Sequence, residues 1–504
     1  MPTPVHAGRA PSSARVVVVA LALGGIVVSL MQTIVVPLLP EFPRLLHTSH
    51  SAAAWLVTAN LIAGAVCAPV LGRLGDMFGK RRLLLVALAL MVAGSLLGAV
   101  SDVFGVVLVA RALQGAAMGV VPLGISIMRD ELPPERVGSG IALMSSTLGA
   151  GGAIGLPMTG VIAEHFSWHW LFGGAAVLGL VELVAVWRLV PESPVRSGGR
   201  FDFGGAVGLS VALVCLLLAV TQGNAWGWGS GPVLGLFGAS ALLFLAWGAY
   251  ELRIGRAGVA DAARQPLVDL RVSARRQVLL TNIASVLVGF AMFTSFMVSA
   301  QIFQAPRDTG YGYGMSLTLS GLALLPGGLM MIAFSPVTAL LSRRRGPRFS
   351  FLVGTAILMV ANLVRVAAPH QLVVVILATA VTSIGAAFAY GSIPAMIMQA
   401  VPVTETAAAN SLNTLARSIG TSVCSAVVAA VTTASVMYVA GVEFPTADAY
   451  AAVFAIAAGA ALLALVVGAF VPRAGTPEGG TDIDVGTAAL PLSETDRDRI
   501  RITP

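Results

Sequence analysis

Charge is scarce in this chain: 11% of its 504 residues are Asp, Glu, Lys or Arg, 57% are hydrophobic, and mean hydropathy is +0.89. A soluble protein of this length needs far more polar surface to cover its core, which excludes that class. Cysteine is nearly absent. Cys67, Cys215 and Cys424 each lie inside an apolar run, so neither a disulfide nor a thiolate metal site is expected. Of the histidines at 6, 47, 50, 165, 169 and 370, none sits mid-run beside a nucleophile or an acid, and a membrane-embedded enzyme is not expected. The phosphate-cradling pattern GxxxxGKS or GxxxxGKT does not occur, so ATP is not the energy source within this chain and no cofactor is expected. A channel is disfavoured because no ring-forming filter motif is present.

Apolar runs of about 20 residues recur from end to end, each long enough to cross a bilayer as a helix. Barrel strands are shorter and alternate in polarity, so the expected fold is an all-α polytopic membrane protein. Turn and charge signals predict spans near 16–37, 53–72, 83–101, 104–127, 139–162, 170–190 and 204–222. Seven more fall near 232–250, 278–303, 317–341, 350–368, 371–398, 408–437 and 449–471. The first run follows Arg9 and Arg15 like a signal peptide, but it exceeds the usual apolar core of about 7–15 residues and lacks a small-residue cleavage site. It is read as a span. The net charge of +7 tempts a nucleic-acid reading, yet 22 of the 30 cations fall in or beside cytoplasmic segments when the N-terminus is inside. Arg44, Arg307 and Arg365 fall outside, Arg111 and Arg417 within helices, and three in the distal tail. That asymmetry predicts cytoplasmic termini, a multi-pass place in the cell membrane, and lipid rather than nucleic acid as partner.

Two polar interruptions, Val190–Phe203 and Arg253–Gln277, leave six spans before, two between and six after. The expected layout is a cytoplasmic N-terminus (1–15), a six-helix bundle (16–190), a linker with two inserted helices (191–277), a second bundle (278–472) and a disordered tail (473–504). The string GAAMGVVPLGISIM at Gly115–Met128 resembles GAAFAYGSIPAMIM at Gly385–Met398, offset by 270 residues, and the offset persists to Glu135 and Glu405. With the matching span count it favours a duplicated bundle, the usual architecture of secondary transporters.

The densest charge lies in GRLGDMFGKRRL, Gly72–Leu83, read as the cytoplasmic loop between spans 2 and 3. Its glycines, Gly72 and Gly79 among them, let helix ends approach closely. Asp76 can hold a basic group or a helix N-terminus in one conformation and release it in another, as a gate latch does. Lys80, Arg81 and Arg82 either share that task or anchor topology. The stretch resembles the GxLaDrxGrkxxl signature of the major facilitator superfamily. Leu108–Gly115 is similar to the family's lxxxRxxqG motif. Trp55–Ala59, Trp168–Phe172, Pro191–Ser193 and Pro266–Leu270 resemble its fourteen-span drug:proton antiporter branch. The resemblance implies a major facilitator fold and secondary export of amphipathic organic compounds by alternating access, coupled to proton influx. Two departures stand out. Leu30–Pro40 keeps the frame of LDxTIVNVALP with Met31 where the acid belongs, and Gly155–Gly160 displaces the proline of GPxxGG by one. The missing acid leaves a symporter or facilitator for a defined metabolite open.

Ionisable groups inside a span cost roughly 2.5–3.5 kcal/mol on insertion scales and are functional candidates. Arg111 either binds an anionic or acceptor-rich substrate group or braces helices through carbonyls, and Gln32, at similar depth, offers it an amide oxygen. Glu182, near the middle of span 6, is a proton-coupling candidate with Arg111, or else a neutral inter-helix carboxyl. Asn410, Asn413, Arg417 and Thr421 form a polar stripe on span 13 that faces a cavity or a partner helix, cavity lining being the preferred reading. Asn282 joins the substrate-cavity candidates with Gln32 and Met31, while Gln301 and Gln304 are weaker. Glu164, His165 and His169 resemble metal-ligand spacing, but the flanking Trp168 and Trp170 favour an interfacial anchor and no metal is expected. A monomer is expected.

Overall fold

The computed structural model describes residues 11–35, 38–39, 41–258, 266–367 and 371–472. Residues 1–10 of the expected N-terminal segment, and the tail 473–504, lie outside the described residues. Fourteen helices are long and apolar enough to cross a membrane. The first six are α1 (Ala14–Thr33), α2 (Ala52–Phe78), α3 (Lys80–Val100), α4 (Phe104–Glu131), α5 (Pro134–His165) and α6 (His169–Leu189). Next come α7 (Phe203–Gly223) and α8 (Gly231–Gly255). The last six are α9 (Arg276–Gln304), α10 (Leu317–Arg345), α11 (Pro347–Ala367), α12 (Leu372–Met398), α13 (Val403–Ala434) and α14 (Ala447–Ala469). A helix meets every backbone hydrogen bond internally, which is why each apolar run takes this form in lipid. Several ends are set by side-chain caps: Ser49, Asp202, Ser316 and Thr446 each accept from a backbone N–H three residues on.

Packing repeats between the two sets of six. In the first, α1 packs on α5 and α6, α2 on α4, and α3 on α4 and α6; in the second, α9 packs on α13 and α14, α10 on α12, and α11 on α12 and α14. The sets meet along two equivalent seams, α5 against α10 and α13 against α2. Close approach needs glycine there: a Cβ on Gly321 of α10 would lie 2.3 Å from the backbone nitrogen of Pro157 in α5. Within the first bundle, a Cβ on Gly115 would lie 2.3 Å from the carbonyl oxygen of Asn60. The inserted helices pack on each other, and α7 also lies along both α2 and α13. Leu209, Leu213 and Leu217 of α7 share an apolar cluster with Ala65 of α2 and Leu415 of α13. Of this inserted pair, α7 covers one seam between the bundles.

Two expectations are corrected. The supposed loop over residues 72–83 is helical except at Gly79, whose φ of +119° separates α2 from α3. Arg365 lies in the last turn of α11 and is completely buried. Span 13 ends at Ala434, and a hairpin follows: Val436–Val439 pairs antiparallel with Val442–Pro445 around Ala440 and Gly441, both at positive φ (50° and 79°). The helical part of α1 stops at Thr33, and Val36, Pro37 and Pro40 lie outside the described residues.

Gly321→Ala is expected to destabilise the protein by about 1–3 kcal/mol through overpacking at the α5–α10 seam. Gly238→Ala on α8, where a Cβ meets nothing within 4 Å, is expected to leave stability unchanged. Thermal unfolding of the two variants in detergent checks the contrast.

Candidate functional site

At one end of the molecule a polar junction ties the bundles together. Asp76, fully buried in the last turns of α2, accepts from the backbone N–H groups of Ala407 (Oδ1, 3.2 Å) and Ala408 (Oδ2, 2.8 Å). Both belong to the first turn of α13, where N–H groups lack helical partners and the helix dipole favours negative charge. Gly72, one turn earlier, makes the approach possible, since a Cβ there would lie 2.2 Å from Ser411 Oγ. Lys80 opens α3 fully buried, its Nζ 2.5 Å from Asp130 Oδ2 and 3.7 Å from Asp76 Oδ1. The Ser193 hydroxyl donates to the same Asp130 oxygen at 2.6 Å. Beside Asp130, Arg129 reaches across to α13 and α12, donating to Thr406 Oγ1 at 2.6 Å and the Met398 carbonyl at 3.1 Å.

Glu192 closes the other side of the junction. Its carboxylate accepts from the Arg81 and Arg82 backbone N–H groups at 3.1 and 3.3 Å, capping α3. Gly79 is required here twice over, for its positive φ and because a Cβ would sit 2.8 Å from that carboxylate. The Arg81 guanidinium donates to the Trp187 carbonyl, while Arg82 stays exposed. The sequence brought Gly72, Asp76, Gly79, Lys80 and Arg81 to notice but missed Asp130, whose single acid at a helix end carries no local signal. Glu192 and Ser193 stood out only as part of a motif.

Arg111 forms a second cluster, inside the first bundle. Fully buried, it donates to the carbonyls of Met31 (3.0 Å) and Leu56 (3.2 Å) and to Gln114 Oε1 (2.6 Å). Gln114 in turn donates to Ser95 Oγ at 2.9 Å. The geometry is that of a brace joining α1, α2, α3 and α4 through carbonyls. The amide beside Arg111 is therefore Gln114 of its own helix, and Gln32 is not among its hydrogen-bond partners. Met31 contributes its backbone oxygen rather than a side-chain charge.

The polar stripe on α13 divides. Asn410 turns to the Thr406 carbonyl (2.9 Å), and Asn413 donates to Asn282 Oδ1 (2.9 Å) and Ser285 Oγ (2.6 Å) on α9. Arg417 and Thr421 remain half-buried, with the Arg417 guanidinium 5.4 Å from the Tyr390 ring centroid. Gln32 is half-buried as well. Glu182 is 3% exposed, and its Oε1 has no hydrogen-bond partner. A Cβ on Gly24 of α1 would lie 2.8 Å from that oxygen. Gly24 and Met31 are seven residues apart, about 10 Å along α1, so Glu182 and Arg111 do not form a pair. A further buried carboxyl, Glu251 near the end of α8, escaped notice because the predicted span stopped one residue before it. His165 bonds the Val161 carbonyl and His169 lies 3.1 Å from Asp102, so the two histidines do not converge.

Comparison with known proteins agrees with this architecture. The family profile of the Major Facilitator Superfamily matches residues 21–425. Multidrug resistance protein 3 of Bacillus subtilis (strain 168) is 26% identical over 81% of this chain and 78% of its own length. The tetracenomycin C resistance and export protein of Streptomyces glaucescens is 30% identical over 66% of this chain and 60% of its own. Among solved structures, the human organic anion transporter MFSD10 has a similar fold, with a TM-score of 0.62 at 19% identity, covering 91% of this chain and all of that one. The proton:xylose symporter XylE has a TM-score of 0.60 at 16% identity, covering 92% and 96%. With fourteen membrane helices in two repeated sets of six and a family match across most of its length, the chain belongs to the Major Facilitator Superfamily and is a multi-pass transporter of the plasma membrane.

Proposed function

We propose that this transporter exports amphipathic organic compounds, exchanging them for protons, with the Asp76 junction as the latch of its cytoplasmic gate. The observation that carries the reading is the pair of hydrogen bonds from the start of α13 to a carboxylate 331 and 332 residues away in the other bundle. Such a contact can only persist while the bundles are closed at that end. Alternating access requires it to break, and water solvating both the carboxylate and the freed N–H groups makes the broken state reachable. The positive-inside distribution of arginine assigns this end to the cytoplasm. Export of drug-like cargo is supported by the names of the Bacillus and Streptomyces relatives.

Within this reading, Gln32, Asn282, Arg417 and Thr421 line the substrate path, being the half-buried members of the polar set. Arg111, Asn410 and Asn413 shape its walls through the bonds described above. Glu182 carries the proton: it is shielded from water, its Oε1 lacks a partner, and it sits against α1 beside a glycine. A carboxyl so placed can change protonation state when α1 and α6 move and admit water. A facilitator for a defined metabolite is the second reading, favoured by Met31 at the position of the branch's helix 1 acid.

In everted vesicles holding an acid interior, adding a transported amphiphile is expected to dissipate the gradient with wild-type protein. Glu182→Gln is expected to lower that response by tenfold or more, within the roughly 10²–10⁴-fold range of proton-transfer groups. Transport that ignores the pH gradient would support the facilitator. An unaltered response in the variant would remove Glu182 from the mechanism. Separately, Lys80→Met is expected to cost about 3–5 kcal/mol of stability, because it strands Asp130 and Asp76 in a buried setting. Arg82→Ala, on the exposed neighbour, is expected to cost under about 1 kcal/mol. Thermal unfolding separates the two.

A further inference from the structure

Among the described residues two arginines are completely buried, Arg111 in the first bundle and Arg365 in the second. Arg111 has three hydrogen-bond acceptors within 3.2 Å. Arg365 has none among the described residues: Nε, Nη1 and Nη2 are all without a partner. One face of its guanidinium lies 4.4 Å from the Phe454 ring centroid on α14, which shields it without accepting a hydrogen bond. Asn362, one turn earlier, gives its amide N–H to the Leu358 carbonyl, and its oxygen lies beyond hydrogen-bond reach of the guanidinium. Guanidinium groups keep their charge in proteins, so the site holds a full positive charge with no counter-charge.

Tyr313 packs against the same apolar cluster that holds Phe454, and its hydroxyl is also buried without a partner. Tyr313 lies outside the membrane helices, in the connection Gly310-Tyr-Gly-Tyr-Gly314 between α9 and α10. Burial pushes its phenol up from the ordinary value, against the pull of Arg365, so it stays protonated and offers an O–H rather than a negative charge. The connection is pinned from several sides. Tyr313 N–H donates to the Ile302 carbonyl (3.3 Å), Gly314 N–H to Ala305 (2.8 Å), and Tyr311 hydroxyl to Pro445 of the hairpin (2.7 Å). Gly310 and Gly314 take positive φ (78° and 58°), which lets the strand of five fold back over the end of the bundle. The loop therefore fixes a second unused donor against the cluster on which Arg365 stacks, at the end of the molecule opposite Asp76.

We infer that Arg365 and Tyr313 form a receptor for a small monovalent anion, a halide or a carboxylate group, inside the second bundle beneath the Gly310–Gly314 connection. The ligand must offer acceptors to the guanidinium, which presents donors alone, and one negative charge balances the single cation. The acceptor is either free chloride or the carboxylate of a transported compound. Both satisfy the same donors. This role is independent of the Asp76 latch and of Glu182.

Binding of radioactive chloride to the purified full-length protein, in chloride-free sodium sulfate buffer, tests the inference. Saturable binding is expected, weakened about tenfold or more in Arg365→Gln and about tenfold in Tyr313→Phe, which keeps the ring and removes one donor to a charged ligand. Arg44→Gln, an exposed arginine elsewhere, is expected to bind chloride like the wild type. If chloride does not bind, a carboxylated amphiphile that binds wild type and loses affinity in Tyr313→Phe assigns the anion to the cargo. Absence of both, or binding of equal strength in Tyr313→Phe and wild type, overturns the receptor; the tyrosine variant keeps the test decisive should Arg365→Gln fail to fold.

Discussion

A carboxylate at the start of a helix organises this molecule. Asp76 meets two backbone N–H groups of α13 that have no helical partner of their own, so each side satisfies a need of the other. Hydrogen bonds to a charged group contribute about 1.5–3 kcal/mol each, enough for two of them to shift a two-state equilibrium by roughly a hundredfold or more. Yet the sum is small enough for ligand binding to reverse. The neighbouring residues follow from this contact. Gly72 provides the clearance, Gly79 the sharp break that returns the chain as α3, and Lys80 a buried cation between Asp76 and Asp130. Glu192 then caps the helix that Gly79 begins.

Burial of charge divides into three solutions. At the junction, charges are paired within the first bundle and hydrogen-bonded across to the second, an arrangement whose partners can separate. Arg111 instead spends its donors on carbonyls of α1 and α2 and holds four helices of one bundle as a unit. A rigid bundle is what lets a contact at one end translate into motion at the other. Arg365 has no hydrogen-bond acceptor among the described residues. The inserted helix α7 adds a further element to the moving seam, since it packs on α2 and α13 together, the two helices that Asp76 joins.

The membrane helices were legible because lipid allows so few alternatives: a long apolar run has to be a helix, and polar interruptions have to be its ends. Boundaries failed where charge and helix coincide. Residues 72–83 read as a loop because they are rich in charge and glycine, but buried pairing with Asp130 and α13 keeps Asp76 helical and Lys80 in the first turn of α3. Arg365 read as an outer cation, and its complete burial against Phe454 left no trace in the sequence. Asp130 and Glu251 gave no signal, since one acid near a helix end looks like ordinary solvated charge. The partners of Asn413 and Arg111 lie on other helices, and which face meets which is a matter of packing that periodicity alone does not encode.

The central claim is that Asp76 holds the two bundles closed at its end. Pulsed electron spin resonance between labels at positions 82 and 343 measures this directly, after Cys67, Cys215 and Cys424 are replaced. Arg82 and Arg343 are exposed, one beginning α3 and the other near the end of α10, so each bundle carries one label. The account predicts a longer and broader distance distribution in Asp76→Ala than in the otherwise identical protein. The same distribution in both would contradict it.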